Sequence, residues 1–181
     1  MREISLHLID IIENSITAGS TLIEIAVKEM THINMLQIEI SDNGCGMSQE
    51  LLNHVTDPFV TSRTTRKVGL GISLFKSACE RCNGNFIITS QVNVGTKIVA
   101  TMEYDHIDRA PIGRIEDTIT TLLLNQGVEL VYLHMVNDKS FIFDSREIKN
   151  IVGDQLNTPD ILMWLKEYIS ENIENIGGGK W

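Results

Sequence analysis

"SDNGCGM", residues 41–47, sets an acid, an amide and two glycines directly after the alternating run "MLQIEIS" of residues 35–41. In that run Leu36, Ile38 and Ile40 fall on one face and Gln37, Glu39 and Ser41 on the other, the period of a half-buried strand. Asp-Asn-Gly is a strong turn former, and Gly46 adds a second point where φ can be positive or the backbone can approach a ligand. Taken alone, the stretch is either a tight surface loop or a strand end that delivers Asp42 to a ligand. The rest of the chain has to decide between them.

A chain of 181 residues suits one ordinary domain, or a core domain with a smaller appendage, and can bury a core without staples. Its 43% hydrophobic and 22% charged content excludes wholesale disorder. Net charge is −9, from 24 acids against 15 bases, which argues against a broad duplex-binding surface and makes DNA an unfavoured partner. No apolar run is long enough to span a membrane, and the first residues, Met-Arg-Glu, lead straight into a periodic segment without a signal-peptide pattern. The expectation is a cytoplasmic protein with no membrane partner. Three cysteines are too few for a secreted disulfide scaffold.

"REISLHLIDIIENSITAG" carries Ile4, Leu8, Ile11, Ile12 and Ile16 at helical spacing, with Gly19 where a helix would end. Asp10 and Asn14 lie four residues apart, on one face beside the apolar stripe. "TLIEIAVKEM" reads as a strand that pairs antiparallel with residues 35–40 through the turn "HIN". A short helix capped by Ser48 follows, directing Leu51, Leu52 and Val55 inward and ending at Pro58. "DPFVTSRTTRKVGLG" reads as a long loop, "ISLFKSACERCNG" as a helix, and "NFIITSQ" with "GTKIVATM" as a hairpin. The composition of "DHIDRAPIG" marks a boundary. Beyond it the pattern is helix, two strands around Asn137-Asp138, a short helix and an amphipathic helix from Pro159. The strand "VELVYLHMV" is a continuous apolar run, so cover on both sheet faces is expected there. Asp144 and Glu147 read as a helix cap and a first-turn charge.

Gly69 and Gly71 run directly into a helix, where backbone amides meet an anion at the positive helix end, and Arg63, Arg66 and Lys67 add positive charge upstream. No Walker A pattern and no dinucleotide fingerprint is present. The order of the motifs resembles the Bergerat-fold (GHKL) ATPase superfamily of type II topoisomerases, heat-shock-90 chaperones, MutL proteins, sensor histidine kinases and anti-sigma-factor kinases. The resemblance runs from about residue 6 to 101. "DIIENSITAG" looks like that family's N-box, "SDNGCGM" like its first glycine box, "RKVGLGIS" like its second, and "VGTKI" like its last Gly-Thr element. "ENSITAGST" leans toward MutL and "DPFVTSRTTRKVGLGISL" toward the kinases.

The resemblance implies an α/β two-layer sandwich with a mixed, largely antiparallel sheet covered on one face by helices. Residues 1–108 would be the ATP-binding domain, 109–176 a small α/β extension and 177–181 a flexible tail. ATP and Mg²⁺ are the implied cofactors. Asn14 matches the Mg²⁺ ligand and Asp42 the acid that accepts from the adenine amino group. Gly44, Gly46, Met47 and Thr96 would complete the base pocket, with the glycines keeping side chains out of the purine slot. Lys67, Gly69, Leu70 and Gly71 would close over the phosphates. The general base of hydrolysing members is a glutamate, and its place here holds Asp10, a shorter acid that reaches less far toward a water. Lys67 and Val68 stand where the kinase-like lid has glycine.

No helical hairpin carrying an acceptor histidine precedes the first motif in this sequence, so orthodox histidine autophosphorylation is not expected. The readings left open are a slow ATPase or serine, threonine or histidine protein kinase acting on a regulatory protein partner, a non-catalytic ATP-responsive interaction module, and, more weakly, a MutL-like repair ATPase. A homodimer is left open too. Cys79 and Cys82, in "CERC", lack further metal ligands and read as core thiols.

Overall fold

The computed structural model describes residues 3–56, 70–124 and 127–179. Its frame is one six-stranded sheet of order β3-β4-β2-β1-β5-β6. The strands are β1 (Leu22–Met30), β2 (Met35–Asp42), β3 (Phe86–Gln91), β4 (Gly95–Glu103), β5 (Glu129–Val136) and β6 (Lys139–Asp144). Only β1 and β5 pair in parallel, so the sheet is mixed and largely antiparallel, as the resemblance implied. Because β5 runs along β1, the strands of residues 109–176 and those of residues 1–108 share one sheet.

Period-2 alternation turns the buried apolar residues of all six strands to one face. Ile88, Ile98, Ile40, Ile25, Tyr132 and Phe143 align as a row across the sheet, and Phe86, Ala100, Ile38, Val27, His134 and Phe141 form the next. Helices α1 (Ile4–Thr17), α3 (Gly71–Arg81), α4 (Ile115–Leu123) and α6 (Pro159–Asn175) cover this face, α1 packing on α3 and α4, and α4 on α6. Phe75 of α3 meets Phe86 edge-on at 5.8 Å, and Phe141 meets Tyr168 of α6 at 5.8 Å. Both thiols of the Cys79–Cys82 pair are buried, and burial pushes Cys79 up to about 12, so they are inert core groups.

The other face is mixed, with Ile87, Val99, Glu39, Ala26, Leu133 and Ile142 in register across it. Contact with Lys28 pulls the Glu39 carboxyl down to about 2 against its partial burial, and Lys97 adds to this at 3.0 Å. Here β5 differs from expectation. Leu130, Tyr132 and His134 are buried, whereas Val131, Leu133 and Met135 are only half-buried, because the helices lie on one side.

Two further segments are tied down more tightly than their composition suggests. The carbonyls of Pro111 and Ile112 accept from the Ile4 and Ser5 amides at 2.9 and 2.8 Å, satisfying donors that the start of α1 would otherwise leave unpaired. Gly177 to Gly179, expected as part of a flexible tail, are docked. Gly177 and Gly178 bond to the carbonyls of Glu174 and Ile173, and the Gly179 amide reaches Glu29 at 3.4 Å.

Glu29 is buried and also accepts from Tyr104 at 2.8 Å and from His134 Nε2 at 2.7 Å, while His134 Nδ1 lies 2.5 Å from the Tyr132 hydroxyl. Burial would raise the Glu29 carboxyl, but the hydrogen bonds from His134 and Tyr104 outweigh it and hold it below the usual range. The backbone at residue 178 must be bare there, because a Cβ would lie 2.8 Å from His134 Nε2.

Elsewhere the short elements follow their caps. Ser48 accepts from the Leu51 amide at the start of α2 (Gln49–His54), and Asp144 caps α5 (Ser145–Val152) by accepting from Arg146. Val55 is buried, but Leu51 is 40% exposed, so it is not the core residue that its spacing predicted.

His7 on α1 is 3% exposed, stacks on Phe75 with ring centroids 5.0 Å apart, and has no partner for Nδ1 among the described residues. Burial, aided by the Arg81 charge, lowers it to about 4. The unfolded imidazole gains a proton below about pH 6.5, which the folded one refuses until about pH 4, so folding stability from this group is complete above pH 6.5 and lost as pH falls toward 4. Chemical unfolding measured across that window should show stability falling with acidity by up to about 1.4 kcal/mol per pH unit from this group. His7→Phe, which keeps the stack, should flatten the slope. An unchanged slope would show that His7 does not titrate this way.

Candidate functional site

Asp42 is the last residue of β2, one position beyond the alternating run, and three donors from separate segments hold its carboxylate. Ser15 of α1 donates to Oδ2 at 2.7 Å, Ser20 of the α1–β1 turn to Oδ1 at 3.2 Å, and the Gly44 amide to Oδ1 at 2.9 Å. A carboxylate oxygen accepts about two hydrogen bonds, so Oδ1 is filled and Oδ2 keeps one acceptor position. Asn43 stitches the same loop to the start of β1, its Oδ1 accepting from the Thr21 and Leu22 amides at 2.9 and 3.0 Å.

Beside Asp42 opens a cleft of about 700 Å³, open solvent included. Asn14, Asp42, Gly46, Met47 and Thr96 line it together, with Ile11, Val55, Ile72 and Ile98 as apolar wall. This combination of mostly apolar walls and a few convergent polar groups is the usual form of a small-molecule site. Thr96 is the register partner of Asp42 on β4, so the sheet itself sets the two side chains next to each other.

The glycines serve the loop differently from expectation. At Gly46 φ is 62°, and an added Cβ would lie 2.0 Å from the Gln91 carbonyl oxygen of the β3–β4 hairpin. A Cβ at Gly44 would meet Ser20 Oγ at 2.6 Å. The missing side chains therefore leave room for neighbouring chain, which lets the loop close on α1 and the hairpin.

Asp10 and Leu70 stand outside the lining of the cleft, and so do Gly44 and Gly71. Gly71 is buried as the first residue of α3, where an added Cβ would lie 2.6 Å from the Asp10 Cβ, so α1 and α3 touch at this point. Leu70 precedes it and is 53% exposed. Lys67 and Gly69, with Arg63 and Arg66, lie outside the described residues.

Sequence reasoning missed Ser15, Ser20, Cys45 and Ser90. Ser15 carried a signal, since it follows Ile11 by four residues on the buried stripe of α1 and is itself 4% exposed. Cys45 lines the cleft. Ser90 of β3 accepts from the Met47 amide at 2.8 Å, a contact between segments 43 residues apart that no local pattern announces. Among the described residues no group of three or more His, Cys, Asp or Glu gathers to hold a metal. No helix there is long and apolar enough to cross a membrane.

Comparison with known proteins agrees with this architecture. A putative sensor protein of Shewanella frigidimarina is 38% identical over 94 residues, half of this chain but 14% of that protein. Sporulation kinase D of Bacillus subtilis is 40% identical over 65 residues, which is 36% of this chain and 13% of the kinase. The chain thus spans only a small part of these relatives. Among solved structures, the Aquifex aeolicus MutL ATPase domain complexed with ADP superposes with a TM-score of 0.54 at 12% identity, covering 83% of this chain and 69% of that one. The N-terminal domain of a DNA repair protein gives 0.53 at 15% identity, covering 98% and 57%. Those two likenesses concern the fold. The profile of the histidine kinase-, DNA gyrase B- and HSP90-like ATPases matches residues 2–106, more than half of the chain, and the protein belongs to that family.

Proposed function

We propose that the cleft binds Mg-ATP and that the protein is a regulatory ATP-binding protein acting on a protein partner. One observation carries the reading: Asp42, immobilised by three donors with an acceptor position to spare, lines the same cleft as Thr96 and Asn14. A carboxylate acceptor in a cleft with mostly apolar walls suits the exocyclic amine of adenine. The Asn14 carboxamide lines the cleft without a side-chain partner among the described residues. Its oxygen is a hard donor, and one protein oxygen plus phosphate oxygens is the common way to hold Mg²⁺. The ion would neutralise charge on the triphosphate. Met47 would flank the base, and Lys67, Gly69, Leu70 and Gly71 would meet the phosphates.

Slow turnover is part of the proposal. Asp10, in the general-base position, is one carbon shorter than a glutamate and abuts Gly71 of α3. A misplacement near 1 Å costs roughly 100-fold in rate. The same observation favours the second reading, a non-catalytic ATP-responsive interaction module. A MutL-like repair role fits less well with a net charge of −9. Residues 109–176 are proposed as an extension that supports the sheet through β5 and offers surface to a partner, including a second copy.

Titration with a fluorescent adenine nucleotide and Mg²⁺ should show wild-type binding, weakened about 10- to 100-fold in Asp42→Asn through loss of a charge-assisted hydrogen bond. Equal affinities would end the adenine assignment. Phosphate release should stay below about one per minute, far under the ~10 per second of a typical enzyme. Turnover of several per minute, abolished by Asp10→Asn while binding persists, would instead make Asp10 a competent base. Rapid label transfer to a candidate protein substrate would establish a kinase.

A further inference from the structure

Ser90 does not line the cleft, yet it touches three of the groups that shape its base end. The Met47 amide lies 2.8 Å from its hydroxyl, the Gly95 carbonyl oxygen 2.9 Å, and the Thr96 hydroxyl 2.9 Å. A serine hydroxyl has one proton to give and two lone pairs to receive with. An amide N–H can only donate, so Ser90 accepts from Met47. A carbonyl oxygen can only accept, so the single Ser90 proton goes to Gly95. All three contacts are hydrogen bonds in one assignment alone, with Thr96 donating its own proton to the remaining Ser90 lone pair.

The consequence falls on Thr96, which lines the cleft beside its register partner Asp42. With its proton committed to Ser90, the Thr96 oxygen can show the cleft only lone pairs. Asp42 is likewise an acceptor, its carboxylate already receiving from Ser15, Ser20 and the Gly44 amide. That end of the cleft therefore offers acceptors and no hydroxyl donor. An amino group, with two protons to give, is matched there. A carbonyl oxygen would face lone pairs from both sides, and a site whose polar groups are left mispaired rejects a ligand strongly.

We propose that Ser90 is a positioning residue that fixes the Thr96 hydroxyl as an acceptor and so selects a base edge carrying an amine over one carrying a carbonyl. The inference rests on the reading of the cleft as an adenine-nucleotide site. Guanine, with a carbonyl where adenine has its amine, is the natural discriminating ligand. The structural role of Ser90 is to join the 42–47 loop to the β3–β4 hairpin; its selective role is the direction of one proton.

The test measures binding of the Mg complexes of ATP and GTP to wild type, Ser90→Ala, Ser90→Thr, Thr96→Val and the Ser90→Ala/Thr96→Val double variant. In Ser90→Ala the Thr96 proton is released to turn into the cleft, where it can meet a carbonyl oxygen. The ATP-to-GTP affinity ratio should fall about tenfold, the worth of one hydrogen bond exchanged for a clash, with GTP binding gaining in absolute terms. Ser90→Thr keeps the hydroxyl and should keep the wild-type ratio.

Thr96→Val removes the lone pairs together with the proton, so its ATP-to-GTP ratio should fall through loss of the acceptor, and adding Ser90→Ala to it should change the ratio no further. Ser90→Cys, a weak hydrogen-bond partner, replaces the alanine variant if that one does not fold. A merely structural Ser90 would weaken both nucleotides in proportion, and an unchanged ratio in a folded variant overturns the inference. A ratio that falls again by the same factor when Ser90→Ala is added to Thr96→Val overturns it as well. The underlying reading is judged separately by Asp42→Asn: if that variant loses ATP binding while Ser90→Ala keeps the ratio, the nucleotide site stands and only the Ser90 assignment falls.

Discussion

The Asp42 carboxylate is the point at which the separate parts of the site are joined. A helix, a turn and a loop each give it one hydrogen bond, through Ser15, Ser20 and Gly44. Removing the acid would take an acceptor from all three and leave the buried hydroxyl of Ser15 with only the longer bond to the Ile11 carbonyl at 3.4 Å. The arrangement also explains why a strand that is apolar on its inner face ends on an acid: the last inward-facing position of β2 meets the end of α1 and the Gly44 turn, which supply three donors. Holding the group by three partners leaves a ligand little reorganisation to impose, and preorganisation of that kind favours binding.

The sheet places this junction and keeps it apart from the protein's other buried polar cluster. Asp42 pairs with Ile23 near the start of β1, while Glu29 and its partners His134, Tyr132 and Tyr104 lie toward the far end of the same strand. Between Asp42 and Glu29 lie the buried Ile25 and Val27 of β1, paired with Ile40 and Ile38 of β2. The parallel partner β5 matters to both, since it flanks β1 along its length and brings His134 to Glu29. Residues 109–176 thus bear on the ATPase-like half through backbone pairing and through a closed hydrogen-bond network, and Gly177 to Gly179 are drawn into that network.

Much of this was legible in the sequence because it is written in local periods. The alternation of β1, β2 and β4, the stripe of α1 and the caps at Ser48 and Asp144 follow from side-chain direction and from orphan amides, and the motif order identified the family. What could not be read depends on partners distant in the chain. The parallel β1–β5 pairing joins segments about a hundred residues apart, and nothing in "VELVYLHMV" says which strand it will flank or that only one face will be covered. Gly177 to Gly179 look like a loose end by composition, and are held by the carbonyls of Glu174 and Ile173 and by the distant Glu29 carboxylate. Gly46 was recognised as a special position, but its reason, the Gln91 carbonyl of a distant hairpin, exists only in the folded chain. Ser90 was invisible for the same cause.

The central claim is that a nucleotide enters beside Asp42 and not elsewhere. Backbone amide resonances of isotope-labelled protein, followed as Mg-ATP is added, test it directly. The account predicts saturable shifts concentrated at Gly44, Gly46, Met47 and Thr96, with Gly178 and Gly179 at the opposite end of the sheet unmoved. Shifts gathered instead around Gly113 and Gly179, or none at all at saturating nucleotide, would contradict it.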